Sequence, residues 1–313
     1  MNPVDAIKIN FNPDNLLVLN ICLALLMFGI ALDIKREDFQ MLWQNPKPAL
    51  VGMFGQLVIL PLVTLGLVFV FNPPPSVALG MIAISACPGG NNSNYSTHLA
   101  RGNTALAVTT TSISVLTCIV TMPLYIWLGA KVIPNVASLN REVSINPLDM
   151  VKIIGLLILT PLVIGMFVSS RFPVVTGYIR KPFKILSLVL FFGLIFGAIA
   201  MNLQNIVNYV GAVFFIVLIL NALAFAIGYY FGKINKLNEA DCRALTFETG
   251  IHNVTLALII IFNFFDGLGG MALVAAWYGI WDLITGFSLA MWWGRKERAS
   301  DTANTEGGKK IAQ

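Results

Sequence analysis

Phe247-Glu248-Thr249-Gly250-Ile251-His252-Asn253 puts a carboxylate, an imidazole and a carboxamide within six positions. Mostly apolar sequence follows for about a dozen residues. An ionisable group at membrane depth costs about 2.5–3.5 kcal/mol on insertion scales, so such groups mark ion or substrate paths. What surrounds Glu248 therefore decides both the fold and the chemistry.

Working outward, the chain is 313 residues long, 57% hydrophobic and only 11% charged. Its mean hydropathy is +0.79. Soluble domains carry about 25% charged residues. Apolar stretches long enough to cross a bilayer recur along the whole length, which defines an all-α polytopic membrane protein. The net charge of +5 is spread over short loops and is no nucleic-acid signal. Cys22, Cys87, Cys118 and Cys242 show no metal-ligand spacing and read as reduced packing residues. The N-terminus lacks a basic n-region and a cleavage site, so the first apolar segment is expected to remain as a helix.

Nine spans are predicted, at 16–32, 48–71, 76–99, 104–129, 147–169, 182–202, 207–231, 240–265 and 271–293. Residues 1–15 precede a single transmembrane domain, 16–294, and 295–313 form a tail. Placing the N-terminus outside leaves sixteen of the twenty Lys and Arg residues inside. Only Lys8, Lys131, Arg141 and Lys152 then lie outside. The positive-inside rule selects this orientation, with a cytoplasmic C-terminus and a cell (inner) membrane location.

The third span is interrupted by Cys87-Pro88-Gly89-Gly90-Asn91-Asn92, followed by Ser93 and Asn94. Lipid offers unwound backbone no partners, so this break must face protein or a water-filled cavity. Its counterpart is the interruption around Gly250 in the eighth span. The two lie five helices apart and run in opposite directions, which is the pattern of an inverted repeat with paired discontinuous helices, as in secondary transporters. Met27-Phe28-Gly29-Ile30-Ala31-Leu32 and Ile195-Phe196-Gly197-Ala198-Ile199-Ala200 support the same offset weakly. Half-helix N-termini favour anions and half-helix C-termini favour cations.

Ala86-Cys87-Pro88-Gly89-Gly90-Asn91-Asn92-Ser93-Asn94 and Glu248-Thr249-Gly250-Ile251-His252-Asn253 resemble the two signature motifs of the bile acid:sodium symporter family. Arg101-Gly102-Asn103 and Gly279-Ile280-Trp281 fit as well. The likeness runs from about residue 16 to 294, in a nine-helix form lacking the first helix of ten-helix bacterial members. It implies crossed helices 3 and 8 in a core domain with helices 2, 4, 7 and 9. Helices 1, 5 and 6 form a panel domain, and alternating access moves one domain against the other. It also implies two sodium sites. Ser93, Asn94, Thr111 and Glu248 match the first, where Ala107 stands in place of a further hydroxyl. Gln56, Glu248 and the carbonyls of Thr249 and Ile251 match the second, where His252 replaces a glutamine.

Sodium prefers oxygen ligands, and imidazole nitrogen suits it poorly. Three readings of His252 stay open: a neutral hydrogen-bonding residue, a built-in cation, or a group that couples transport to protons. Asp282 is the second departure. It either pairs with a donor on a neighbouring helix, or it binds substrate or joins a proton relay with His252. Asn91, Asn92 and Asn253, at the half-helix N-termini, are the candidates for holding an anionic substrate.

The function expected is sodium-coupled import of an organic anion: bile-acid-like, steroid-like, or a small hydroxy or oxo acid such as pantoate. The alternative is a proton-coupled or reduced-stoichiometry carrier using His252 and Asp282. A channel is remote, because polarity clusters at two breaks rather than lining a path. The residues carry no metalloprotease or nucleophile-elbow motif, so no enzyme is expected. No cofactor is expected beyond the coupling ion. The expected partners are the anion and the lipid bilayer, with no nucleic acid and no obligate protein.

Overall fold

A computed structural model describes residues 3–6, 13–32, 44–136, 139, 146–201 and 203–311. Lys8, Lys35, Arg36 and Arg141, used above in orienting the chain, lie outside them. The described residues form eleven helices: α1 Pro13–Ala31, α2 Pro46–Phe71, α3 Pro75–Ser85, α4 Asn91–Leu99, α5 Thr104–Val132 and α6 Pro147–Arg171. They continue with α7 Pro173–Met201, α8 Leu203–Ile234, α9 Glu239–Gly250, α10 Val254–Phe264 and α11 Gly269–Ile311.

Each predicted span falls on helix, and the two interrupted spans each become a helix pair: α3 with α4, and α9 with α10. Five helices, α2, α5, α6, most of α8 and the first 28 residues of α11, are long and apolar enough to cross a membrane. Residues 20–31, α3 and α10 are shorter apolar helices. Large apolar side chains such as Val70, Leu156 and Phe215 point outward, 76%, 70% and 68% exposed, as suits a lipid-facing surface. All four cysteines are free and buried.

Two boundaries differ from expectation. The sixth span was expected from 182, yet α7 begins at Pro173, where a proline fits the first helical turn. The ninth span was expected to end at 293 and the apolar span does end close by, at Lys296, but the helix that carries it, α11, continues through the tail to Ile311. That segment contains no proline, and Arg295-Lys296-Glu297-Arg298-Ala299 are good helix formers that carry the helix on beyond the apolar span.

Local chemistry explains the remaining ends. Pro73-Pro74-Pro75 cannot extend α2, and Asn72 closes it in the left-handed region at φ 43°. Asp5 reaches over from the N-terminal segment, and its Oδ1 accepts the Ser76 amide of α3 at 3.0 Å. Replacing Asp5 with Ala leaves that amide without its acceptor. We expect a loss of about 1–2 kcal/mol, read as a lower melting temperature with unchanged sodium affinity.

Helix α2 contains one π turn, Gly55–Ile59. Pro61 has no N–H to give to the Leu57 carbonyl, and the Tyr125 hydroxyl of α5 donates to it instead at 2.5 Å. The wider turn carries Gln56, which is buried. Helix α1 packs mainly on α6 and α7. The paired helices α3, α4, α9 and α10 pack with α5, α8 and α11. Helices α8 and α9 make a close pair, because a Cβ on Gly228 would strike the Leu245 carbonyl oxygen.

Candidate functional site: two helix breaks meet at a buried carboxylate

The two breaks join through their backbones. The Gly90 amide donates to the Ile251 carbonyl at 3.0 Å, and the Asn253 amide donates to the Pro88 carbonyl at 2.9 Å. Gly89 and His252 thereby form an antiparallel bridge. Backbone freed by unwinding is satisfied by the other break, which meets the demand that lipid cannot. Gly89 is required here, since a Cβ would overlap both carboxylate oxygens of Glu248.

Glu248 sits at the end of α9, 1% exposed. Its Oε2 accepts from the hydroxyls of Ser93 (2.9 Å) and Thr111 (2.6 Å), and its Oε1 from Ser114 (3.3 Å). No Lys, Arg or His nitrogen pairs with it among the described residues. Each hydroxyl has one proton and more than one acceptor within reach. Ser93 also reaches the Gly90 carbonyl at 2.7 Å, and Ser114 the Thr111 carbonyl at 3.0 Å. Thr111 also reaches the Ala107 carbonyl at 2.9 Å and Asn94 Oδ1 at 3.3 Å. The cluster is thus rich in acceptors and short of protons. A hard cation fits it, because carboxylate, carboxamide and hydroxyl oxygens all have lone pairs to offer.

The structure therefore brings Ser93, Asn94, Thr111 and Glu248 together. Ser114 was missed by the sequence reading, although it lies one turn beyond Thr111 on the same helical face. Thr110 turns away and donates to the carbonyls of Leu106 and Ala107, at 2.8 and 3.0 Å.

Around the second predicted site, Gln56 Nε2 donates to the Glu248 backbone carbonyl at 3.4 Å. Gln56 Oε1 is buried with no hydrogen-bond partner among the described residues. The Ile251 carbonyl already accepts the Gly90 amide. His252 is tied to α11: its Nδ1 lies 3.1 Å from the Tyr278 hydroxyl, which in turn donates to the Gly250 carbonyl at 3.0 Å. With the phenol proton on Gly250, the ring donates from Nδ1, and Nε2 carries the lone pair. That Nε2 is buried without a partner among the described residues. Thr249 is buried beside Gly250.

Asp282, 3% exposed, accepts the His252 amide through Oδ2 at 3.3 Å. That amide lost its helical acceptor at the break, so the carboxylate acts as a local cap. Asn221 completes the network by donating to the Gly250 carbonyl at 3.2 Å and accepting from Thr285 at 2.8 Å. Tyr278 and Asn221 were not picked out from the sequence. A polar residue midway along an apolar helix was the available signal for each. Of the residues assigned to substrate, Asn253 caps α10 by accepting the Leu256 amide at 3.2 Å. Asn92 is half-buried in the first turn of α4. Asn91 opens α4, and its side chain lies outside the described set.

Discontinuous helices crossing at a buried carboxylate that no cationic side chain neutralises, among the described residues, are the arrangement of a secondary transporter. The comparisons narrow this. A family model described as the Sodium Bile acid symporter family matches residues 20–209. The chain belongs to that family. Among curated proteins it is similar to the uncharacterized sodium-dependent transporter YocS of Bacillus subtilis (strain 168). The two are 29% identical over 278 residues, covering 89% of this chain and 83% of the relative. It is 26% identical over 270 residues to a probable sodium/metabolite cotransporter, BASS2, chloroplastic, of Oryza sativa subsp. japonica, with 82% of this chain and 62% of the relative covered. The P3 protein of Homo sapiens is 27% identical over 236 residues, 75% of this chain and 48% of that protein. The chain thus spans less than two thirds of the plant and human relatives.

Proposed function

We propose that the chain is a symporter that uses one sodium ion to carry an organic anion across the membrane. The observation that carries this reading is the shortage of donors around Glu248. Three hydroxyl protons, beside the Gly89 amide, are shared among the carboxylate, the Asn94 carboxamide and the helix carbonyls. A sodium ion held by Ser93, Asn94, Thr111, Ser114 and Glu248 relieves that shortage with ligands of the right hardness. Ser114 supplies a hydroxyl to a site in which Ala107 has none.

The second predicted site carries a different chemistry. His252 brings a nitrogen donor and is anchored to Tyr278, and Ile251 is engaged at the bridge, so we assign no second ion there. The imidazole is read as a neutral hydrogen-bonding residue, because a second ring N–H would be buried without an acceptor. The anion is placed beside the N-termini of α4 and α10, where the positive ends of the two half-helix dipoles meet; at α10 the Val254 and Leu256 amides are already bonded, to the His252 carbonyl and the Asn253 carboxamide. The domain reading is retained: α1, α6 and α7 form a panel, consistent with the packing of α1. The remaining helices form a core that carries the crossing. Nine crossings, an outer N-terminus and a cytoplasmic C-terminus complete the proposed topology.

One sodium carried with a monoanion moves no net charge. Uptake into proteoliposomes should therefore require an inward sodium gradient, show a sodium Hill coefficient near one, and generate no current. His252→Gln gives the second predicted site an oxygen ligand in place of the imidazole nitrogen. That variant is expected to raise the Hill coefficient and make uptake electrogenic. Uptake indifferent to sodium would sink the coupling assignment, and current in the unaltered protein would sink the single-ion count.

A further inference from the structure

Away from the crossing, a cavity of about 660 Å³ opens where the candidate spans of α8 and α11 end and α9 begins. Helices α9 and α11 both pack on α8 and meet each other through Phe247, Arg243 and Trp293, and the cavity fills the wedge between them. Tyr229, Trp292 and Trp293 form its aromatic wall, and Arg243, Lys296 and Glu239 supply its charges.

The rings are held in place. Tyr229 and Trp293 lie 5.6 Å apart, and Trp293 meets Phe247 edge-on at 5.6 Å. The Arg243 guanidinium lies 5.6 Å above Trp293 and also donates to the Ala100 carbonyl at 2.8 Å. Lys296 Nζ stands 5.7 Å from the Trp292 ring at the rim, where Trp292 is 58% exposed. At the wedge's edge, Lys233 pairs with Glu239 at 2.5 Å and lies 5.5 Å from Tyr229. Glu239 also faces Arg243 Nε at 3.5 Å. Lys233 and Arg243 thus engage the one carboxylate, Glu239, and Lys296 lines the cavity as a further cation, leaving a net positive site lined by aromatic rings.

Amphipathic rings beside basic residues at the end of membrane helices match an anionic lipid, whose headgroup meets the cations while its chains run down the outer surface. We propose that this wedge binds the phosphate headgroup of an anionic phospholipid, separately from the transported ion and substrate. No residue of the Glu248 cluster lines it. A phospholipid is favoured over a free phosphate because three rings and an exposed apolar rim have no use for a small hydrated ion.

The test uses the purified full chain in detergent, without sodium or substrate, so its failure leaves the transport assignment standing. Dioleoyl phosphatidylglycerol, dioleoyl phosphatidylcholine and inorganic phosphate are titrated separately, with binding read by native mass spectrometry and thermal shift. Phosphatidylglycerol is expected to bind and raise the melting temperature, and the zwitterionic lipid with the same chains is expected to do neither. Lys296→Glu should weaken phosphatidylglycerol binding at least about fivefold, and Lys296→Gln by a smaller factor. Lys296 is exposed, so an unchanged melting temperature without lipid verifies that both variants fold. Equal binding of the two lipids, or Lys296 variants indistinguishable from the parent, overturns the proposal. A thermal shift reproduced by inorganic phosphate alone overturns the lipid and leaves a soluble-anion site.

Discussion

Glu248→Gln is expected to abolish sodium-driven accumulation while the protein still folds. Glutamine keeps the shape of the side chain and still accepts from Ser93 and Thr111, whose hydroxyls lie 2.9 and 2.6 Å away. What it loses is the formal negative charge that faces the proposed ion. Removing one partner of a buried charge pair costs about 3–5 kcal/mol, which is a loss of sodium affinity of roughly 10²–10³-fold or more. Sodium-dependent thermal stabilisation should vanish together with uptake. Thr111→Val and Ser114→Ala should each weaken sodium by a smaller factor, since each removes one neutral ligand. A Glu248→Gln variant that still concentrates substrate against its gradient would show that the coupling ion is bound elsewhere.

Gly89→Ala should be nearly as damaging by another route. The added methyl would occupy the space of the Glu248 carboxylate itself. Either the carboxylate leaves its three hydroxyls or the bridge between the breaks opens. Overpacking in a filled interior costs about 1–3 kcal/mol, so the variant should fold with a lower melting temperature. Transport should nevertheless fall to background, because displacing the carboxylate removes the ion's ligand set. Gly90→Ala is the internal control. Its Cβ would meet the His252 carbonyl at 3.1 Å and not the carboxylate, so milder loss is expected. If both alanines behave alike, the damage is general crowding of the crossing rather than displacement of Glu248.

The sequence made the crossing legible because polarity at membrane depth is costly. Pro88-Gly89-Gly90 and the Glu248-to-Asn253 run had to be breaks with partners, and each found its partner in the other. Ser93, Asn94 and Glu248 lie within those motifs, and their grouping with Thr111 came from the resemblance to the symporter family. Ser114 was harder to see, since serines in a membrane helix usually return their proton to a carbonyl one turn back, and it does that as well. The roles of Tyr278, Asn221 and Asp282 depend on which faces of α8 and α11 meet the second break. Periodicity within one helix does not specify that. The length of α11 was missed for a simpler reason: a hydropathy boundary marks where lipid would end, not where hydrogen-bonded helix ends.

Beside the Ser93–Glu248 side-chain bond, the two breaks are joined by peptide groups, through Gly90 with Ile251 and Pro88 with Asn253. Main-chain bonds do not read side-chain identity. The scaffold of the crossing is therefore insulated from its cargo: positions 91–94 and 248–252 can exchange one ligand chemistry for another while the same two bonds hold the halves in register. His252 is such an exchange. In the proposed reading it changes the ligand chemistry of the second predicted site, while at the joint it takes part through the backbone bridge with Gly89. A transporter assembled this way can be retuned for a new ion stoichiometry or a new solute by single substitutions, with no need to refold its centre.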